Sequence, residues 1–232
     1  MSNENKADYN FEDEYYLLYP SDITAYPLIY EDCHGGSACS YKNNQPCSKV
    51  PDCPAYYMKK GVIKKPRPFV MDFLTAITGK PVIYADCYMP FSLSKSSFAV
   101  SPKLYAVLSG LNIEGVQFIP VTLLENGEVK YADFRYAHAY NFLPVLSEEN
   151  SRYQESSNGN KIRNNILQIK FNSARMKKIN LENRLLFRLP LGRSYFIFHV
   201  SVAEKITAIN PAGVQFIKIS EMNLPDTGGF LI

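Results

Sequence analysis

The chain repeats itself once, and no other feature constrains its fold as strongly. Val100-Ser101 … Gly115-Val116-Gln117-Phe118-Ile119 returns as Val200-Ser201 … Gly213-Val214-Gln215-Phe216-Ile217. Each copy reads as an apolar run, a Ser, a short amphipathic helix, a polar turn and a Gly-led strand. A solenoid needs at least three stacked units, so two copies point to one core unit used twice inside a single fold. Ser101 stands where an N-cap belongs, with Pro102 at the first helical position, where a missing N–H costs nothing. Leu104, Val107, Leu108 and Leu111 follow at helical spacing, and Gly110 is a natural stop. In the second copy Ser201 and Glu204 make a Ser-x-x-Glu capping box, with Val202, Ile206 and Ile209 on one face. Both serines are therefore expected to cap helices.

The rest of the chain supplies mainly strands. Tyr15 to Tyr19 is an aromatic run closed by Pro20-Ser21-Asp22. Phe69–Thr78 has the look of a helix and Pro81–Asp86 of a short strand. Asn126-Gly127 is the signal of a tight hairpin, leading into a strand-like Val129–Tyr140. Residues 152–161 hold little to bury and read as a mobile loop. Ile166–Phe171 alternates as a strand does, and Leu185–Leu189 and Tyr195–Val200 flank a hairpin at Pro190–Arg193. The sum is an α+β fold with largely antiparallel sheet and a few short helices. A flexible acidic N-terminus is expected over 1–13, followed by one domain over 14–232 with a Cys-rich loop segment at 32–68.

Bulk properties narrow the function classes. At 232 residues, with 46% hydrophobic and 20% charged residues, the chain is ordinary for a globular protein with a sizeable core. A net charge of +3 is too small to imply nucleic acid, and the basic run Lys59–Arg67 with its two prolines reads as a solvated loop. No apolar stretch approaches the roughly 20 residues of a membrane helix, and the polar start lacks a signal segment. The expectation is a cytoplasmic protein with neither nucleic acid nor membrane as partner.

With these segments in place, a resemblance emerges. A Ser-led helix runs into Gly115-Val116-Gln117-Phe118-Ile119-Pro120-Val121, and an asparagine-and-aromatic hairpin follows. Glu149-Asn150-Ser151-Arg152-Tyr153, the strand Leu186-Phe187-Arg188-Leu189 and a second helix ending in Gly213-Val214-Gln215-Phe216 complete the pattern. The chain resembles the immunity proteins of bacterial polymorphic-toxin systems over about residues 82–219. That resemblance implies a non-enzymatic antidote in interbacterial competition, one that binds a cognate toxin and occludes its active site. The Cys-rich segment lies outside the pattern.

Contact surfaces are expected on loops, which vary while a scaffold holds them. Tyr41, Tyr56 and Tyr57 in the 34–67 segment and Arg152 and Tyr153 in the later loop are the candidate toxin contacts, since Tyr and Arg make good interface anchors. Cys33, Cys39, Cys47 and Cys53 form the dense ligand cluster. They could close a tetrahedral zinc site, although the x5 spacings are wider than zinc knuckles, and unlinked thiols fit equally. Cys87 reads as a buried small hydrophobe. His138 and His199 read as hydrogen-bonded sheet histidines, and Gln117 and Gln215 as residues facing away from Val and Phe or bonding an edge backbone. The alternative function is a small metal-dependent hydrolase or nuclease using the Cys-rich segment or the carboxylates. No catalytic motif supports that alternative.

Overall fold

Phe98-Ala99-Val100 and Phe196-Ile197-Phe198 are short runs buried without a break. Short buried runs rich in aromatic and β-branched residues build strands. In a computed structural model that describes residues 9–20, 29–31, 61–63, 68–73, 84–88, 97–125, 127–190 and 195–224, both runs are strands leading directly into a helix. The strands are β1 (Tyr15–Pro20), β2 (Ile29–Glu31), β3 (Phe69–Phe73), β4 (Cys87–Tyr88), β5 (Ser97–Val100) and β6 (Val116–Glu125). They continue as β7 (Glu128–Ala139), β8 (Arg152–Glu155), β9 (Lys161–Gln168), β10 (Leu186–Arg188), β11 (Phe196–His199) and β12 (Val214–Lys218). The helices are α1 (Pro102–Ser109), the single turn α2 (Ser173–Met176) and α3 (Val200–Ala208).

The two larger sheets have the orders β10-β11-β1-β12 and β2-β3-β6-β7-β5-β4, and β8 and β9 form a third of two strands. All neighbours are antiparallel except β3 and β6. The repeat extends to this topology: β4-β5-β7-β6 in one sheet matches β10-β11-β1-β12 in the other. In both, a strand–helix–strand unit leaves a gap that a third strand fills. In the first copy that strand is β7, which follows it directly. In the second it is β1, from the start of the chain.

From β5 onward the two copies superpose at one constant offset, the one that relates Gly115 to Gly213, and the expected match of Ser101 with Ser201 departs from it. Phe98 matches Phe196, Leu104 matches Val202 and Leu108 matches Ile206, all buried. Asn112 and Asn210 both have positive φ, at 48° and 45°, and Gly115 and Gly213 follow at 78° and 76°. At this offset the partner of Ser101 is His199, two residues before Ser201. Ser101 caps α1, its hydroxyl accepting from the Leu104 N–H at 3.2 Å. His199 caps α3, its Nδ1 accepting from the Ser201 N–H at 3.2 Å. Ser201 is thus inside the helix, and the capping box with Glu204 does not form. Neutral imidazole nitrogen can replace a hydroxyl as acceptor, which is how a cap hides behind an unusual residue type.

The glycine of the first copy meets a further demand. A Cβ on Gly115 would stand 2.2 Å from the Cβ of Asn141. Asn141 in turn donates to the Leu186 carbonyl at 3.1 Å and the Asn183 carbonyl at 2.8 Å, tying the first copy's turn to the second copy's sheet. The reverse tie is Asp86, just before β4. Its buried carboxylate accepts from the Ser101 and Tyr84 hydroxyls and from the Ala212 N–H at 2.9 Å.

Three apolar clusters result. The middle one joins both helices to both sheets, bringing together Leu104, Leu108, Val202 and Ile206 with Phe98, Phe196, Phe198 and Leu18. One outer cluster covers the far face of the β6 sheet with Met71, Phe73, Tyr88, Ile119, Val121 and Tyr136. The other covers the far face of the β1 sheet, where Tyr15, Leu17, Phe187 and Ile197 meet β9 and the segment around Val145 and Phe171.

Several expectations are corrected. Phe69–Phe73 is a strand paired with β6: Met71 and Phe73, two apart, are buried on one face, while Val70, next to Met71, is exposed. The short strand is Cys87–Tyr88, and Tyr84–Asp86 precede it. Residues 152–161 are no mobile loop: they form β8 and its turn into β9. Order at the N-terminus begins before residue 14, since Phe11 and Glu12 are buried and Glu12 accepts from the Phe171 N–H at 2.7 Å.

His199 makes the fold sensitive to pH. Burial lowers its pKa from the ordinary 6.5, against the pull of Glu14, whose carboxylate lies 3.8 Å from Nε2. A cap that accepts through Nδ1 needs the neutral ring. The stability it supplies is therefore complete above about pH 6.5, the unfolded value, and is lost as pH falls below it. His199→Asn keeps a capping acceptor worth about 1 kcal/mol and removes the titration. Urea unfolding at pH 7.5 and 5.0 should show a smaller acid loss for this variant than for the parent chain, with His138 supplying the remainder.

Candidate interaction surface

The second copy of the repeat ends in Val214-Gln215-Phe216-Ile217-Lys218, which pairs with β1 through Gln215 opposite Tyr19 and Ile217 opposite Leu17. Among the described residues no strand lies on its other side, so β12 is an edge. An edge strand presents unpaired backbone N–H and C=O groups and is a natural template for a partner chain. A groove of about 640 Å³ runs here, lined by α3 residues Ala203, Glu204 and Thr207, by Tyr16, and by Val214, Gln215 and Phe216. Consecutive strand residues point to alternate faces. Tyr16, Val214 and Phe216 pack with α3 in one apolar cluster, so the groove lies on the helix face of this sheet, beside its edge.

The titratable and nucleophilic groups near the core are held in structural roles. Burial pushes the Cys87 thiol up to about 12, which leaves it protonated and a poor nucleophile at neutral pH. His138 is pushed down by burial, and its Nε2 lies 3.1 Å from the Gly61 carbonyl oxygen. Arg188, buried on β10, sits over the Phe142 ring at 4.4 Å. Among the described residues no three His, Cys, Asp or Glu side chains gather as a metal site. No helix among them is long and apolar enough to cross a membrane.

The expected site residues fall into two groups. Tyr41, Tyr56 and Tyr57, and the cysteines Cys33, Cys39, Cys47 and Cys53, lie outside the described residues. Arg152 and Tyr153 are on β8, where the second is a core residue rather than a loop anchor. The Tyr153 ring is 7% exposed, packed in the outer cluster beneath Lys161. Arg152 is exposed but engaged, donating through Nη2 to Asn223 Oδ1 at 2.6 Å and to the Leu224 carbonyl at 3.0 Å.

Gln117 follows one of the readings open to it. Its carboxamide accepts from the Ile63 N–H and donates to the Ile63 carbonyl, both at 3.0 Å. The side chain pairs with backbone as a neighbouring strand would. Its counterpart Gln215 is exposed. His199 is the hydrogen-bonded sheet histidine expected, ending β11, but its capping role and the buried partners of Asp86 went unnoticed in the sequence. The constant spacing from cap to Gly-Val-Gln-Phe could have revealed His199, while a lone Asp before a short strand carries no signal of its own.

The described residues thus form a doubled strand–helix–strand scaffold in which β12 ends a sheet. Residues 44–221 match the model of the immunity protein family Imm11. The chain belongs to the Imm11 immunity protein family. The match reaches further toward the N-terminus than the repeat does, taking in Cys47, Cys53, Tyr56 and Tyr57, while Cys33, Cys39 and Tyr41 precede it. No curated protein matches the chain. For an Imm11 member, the β8–β9 hairpin is part of the scaffold, and this has a measurable consequence. The Tyr153 hydroxyl is buried without a hydrogen-bond partner among the described residues. Tyr153→Phe should leave the urea unfolding midpoint unchanged or slightly higher, because a buried unpaired hydroxyl is removed at no loss of packing. Arg152→Ala should lower stability by about 1 kcal/mol, through the lost hydrogen bonds to Asn223 and Leu224.

Proposed function

We propose that this chain is a cytoplasmic antidote of a bacterial polymorphic-toxin system, which binds one cognate toxin and occludes its active site. The observation that carries the proposal is membership of an immunity protein family over most of the chain. Inhibition by occlusion requires a complementary surface with a few strong anchors and no bond-making machinery. The described core agrees in kind: Cys87 is buried and protonated, and His138 and His199 are engaged with a backbone carbonyl and a helix cap. The β12 edge, without an outer strand among the described residues, and the groove beside it offer a contact surface. Tyr56 and Tyr57, inside the family-matched range, are further candidate contacts, and Tyr41 stands with them. Zinc bound by Cys33, Cys39, Cys47 and Cys53 would be a structural staple for the segment that carries these tyrosines.

Co-expression with the toxin encoded beside this gene tests the reading. Protection should require near one-to-one amounts of the two proteins. The complex should survive gel filtration, with a buried surface on the order of 1,200–2,000 Å² or more. Protection at far less than stoichiometric amounts would contradict it. So would a point variant that binds the toxin at full strength yet no longer protects, because either result implies turnover.

A further inference from the structure

The groove beside α3 has a counterpart in the first copy of the repeat, where an aromatic ring occupies it. At the offset that relates Gly115 to Gly213, Phe118 corresponds to Phe216, Tyr105 to Ala203 and Ser109 to Thr207. The strand registers add one more pair. Arg135 lies opposite Val100 and Pro120 as Tyr16 lies opposite Phe198 and Lys218, so Arg135 and Tyr16 hold the same point of the two sheets. In the first copy the Tyr105 ring comes from α1 onto Phe118, edge to face with centroids 5.0 Å apart, and the Arg135 guanidinium lies over it at 5.4 Å.

In the second copy Ala203 has no ring to place there. Val202 and Ile206 are buried as Leu104 and Leu108 are, so both helices seat on their sheets by matched residues, and the side chain that is missing is the one Tyr105 supplies. What remains is the groove of about 640 Å³, with Phe216 and Tyr16 on its sheet side and Ala203 and Thr207 on its helix side. Thr207 is one turn beyond Ala203 on the same stripe of α3, and it is exposed. Aromatic rings favour edge-to-face partners at about 4.5–7 Å between centroids, which suits walls built from Phe216 and Tyr16. Among the described residues of the lining Glu204 alone is charged, and it stands where the first copy has Ala106. A carboxylate at a rim selects a partner that brings a cation.

Resting on the immunity reading, we propose that this groove is the socket for an aromatic side chain of the toxin, presented beside a basic residue. The ring takes the place against Phe216 that Tyr105 takes against Phe118, and the basic residue faces Glu204. This occupant lies on the helix face of the sheet and needs no pairing with the edge of β12. An aromatic anchor buried in a pocket concentrates binding energy in one side chain. The first copy fills its own socket, and the second leaves it to a partner.

The test uses the full chain and the toxin encoded beside its gene. Thr207→Tyr puts a ring into the groove from an exposed position. It should leave the unfolding midpoint unchanged and weaken toxin binding about thirtyfold or more, the effect of losing one aromatic anchor. Ala203→Tyr, which restores the residue of the first copy, should weaken binding as much in the folded variant. Ser109→Tyr, the matched change in the first copy, should bind at parental strength. Glu204→Gln should weaken binding about fivefold and flatten its dependence on salt. On complex formation the methyl proton signals of Ala203 and Thr207 should move upfield, as those of protons lying over an aromatic ring do. Parental binding by either Thr207→Tyr or Glu204→Gln would overturn the proposal and leave the antidote reading standing. So would a complex in which neither methyl signal moves upfield, since the groove then holds no ring. Failure of the parental chain to bind the toxin would overturn both.

Discussion

The buried carboxylate of Asp86 joins the two copies of the repeat, and the placement of the helices and of both sheets depends on that junction. Its oxygens accept from the Ser101 hydroxyl, the Tyr84 hydroxyl and the Ala212 N–H, while its own N–H donates to the Ala212 carbonyl at 2.8 Å. Ser101 passes the connection on, since the same hydroxyl that donates to Asp86 accepts from the first turn of α1. A carboxylate with almost no exposure is tolerated only when its oxygens are fully partnered. Here the partners are the cap of one copy and the turn of the other. In the second copy Leu185 stands at the corresponding place, and its carbonyl accepts from the His199 N–H at 2.9 Å as the Asp86 carbonyl does from Ser101. The backbone is repeated there, while the side-chain junction is made once.

That asymmetry runs through the molecule. The third strand of one unit is its own downstream neighbour, and that of the other is borrowed from the N-terminus. The first unit is completed on its outside by β3 and by the segment under Gln117. The second shows an edge and a groove among the described residues. The two units share the middle cluster, so each packs against the other through its helix.

The sequence made the α+β class, the doubled helix-to-strand unit and the Asn-Gly hairpin legible, since each rests on local chemistry: a Ser-Pro helix start, alternating apolar residues and a turn that needs positive φ. It misled where the deciding partner was distant. Ser201 looked like a cap because serine favours that position, yet His199, paired with Tyr15 of β1, has the place. Phe69–Phe73 has no helical stripe strong enough to resist pairing with β6. Arg152–Glu155 seemed too polar to be ordered, but its strand is pinned by Tyr153 in the core and by Arg152 on residues 223 and 224, contacts with no local signature. The edge at β12 was equally hidden: Val214–Ile217 repeats Val116–Ile119 of β6, and β3 pairs with β6 only further on, at Val121–Glu125.

Amide hydrogen exchange at two positions tests the junction most directly. The Ala212 N–H bonds to the Asp86 carboxylate in one copy, and the Leu104 N–H bonds to the Ser101 hydroxyl in the other. If Asp86 couples the copies, both amides exchange slowly in the parental chain, and Asp86→Ala speeds both together. Fast exchange at Ala212 in the parental chain would contradict the account. So would an Asp86→Ala variant in which Leu104 alone, or Ala212 alone, loses its protection.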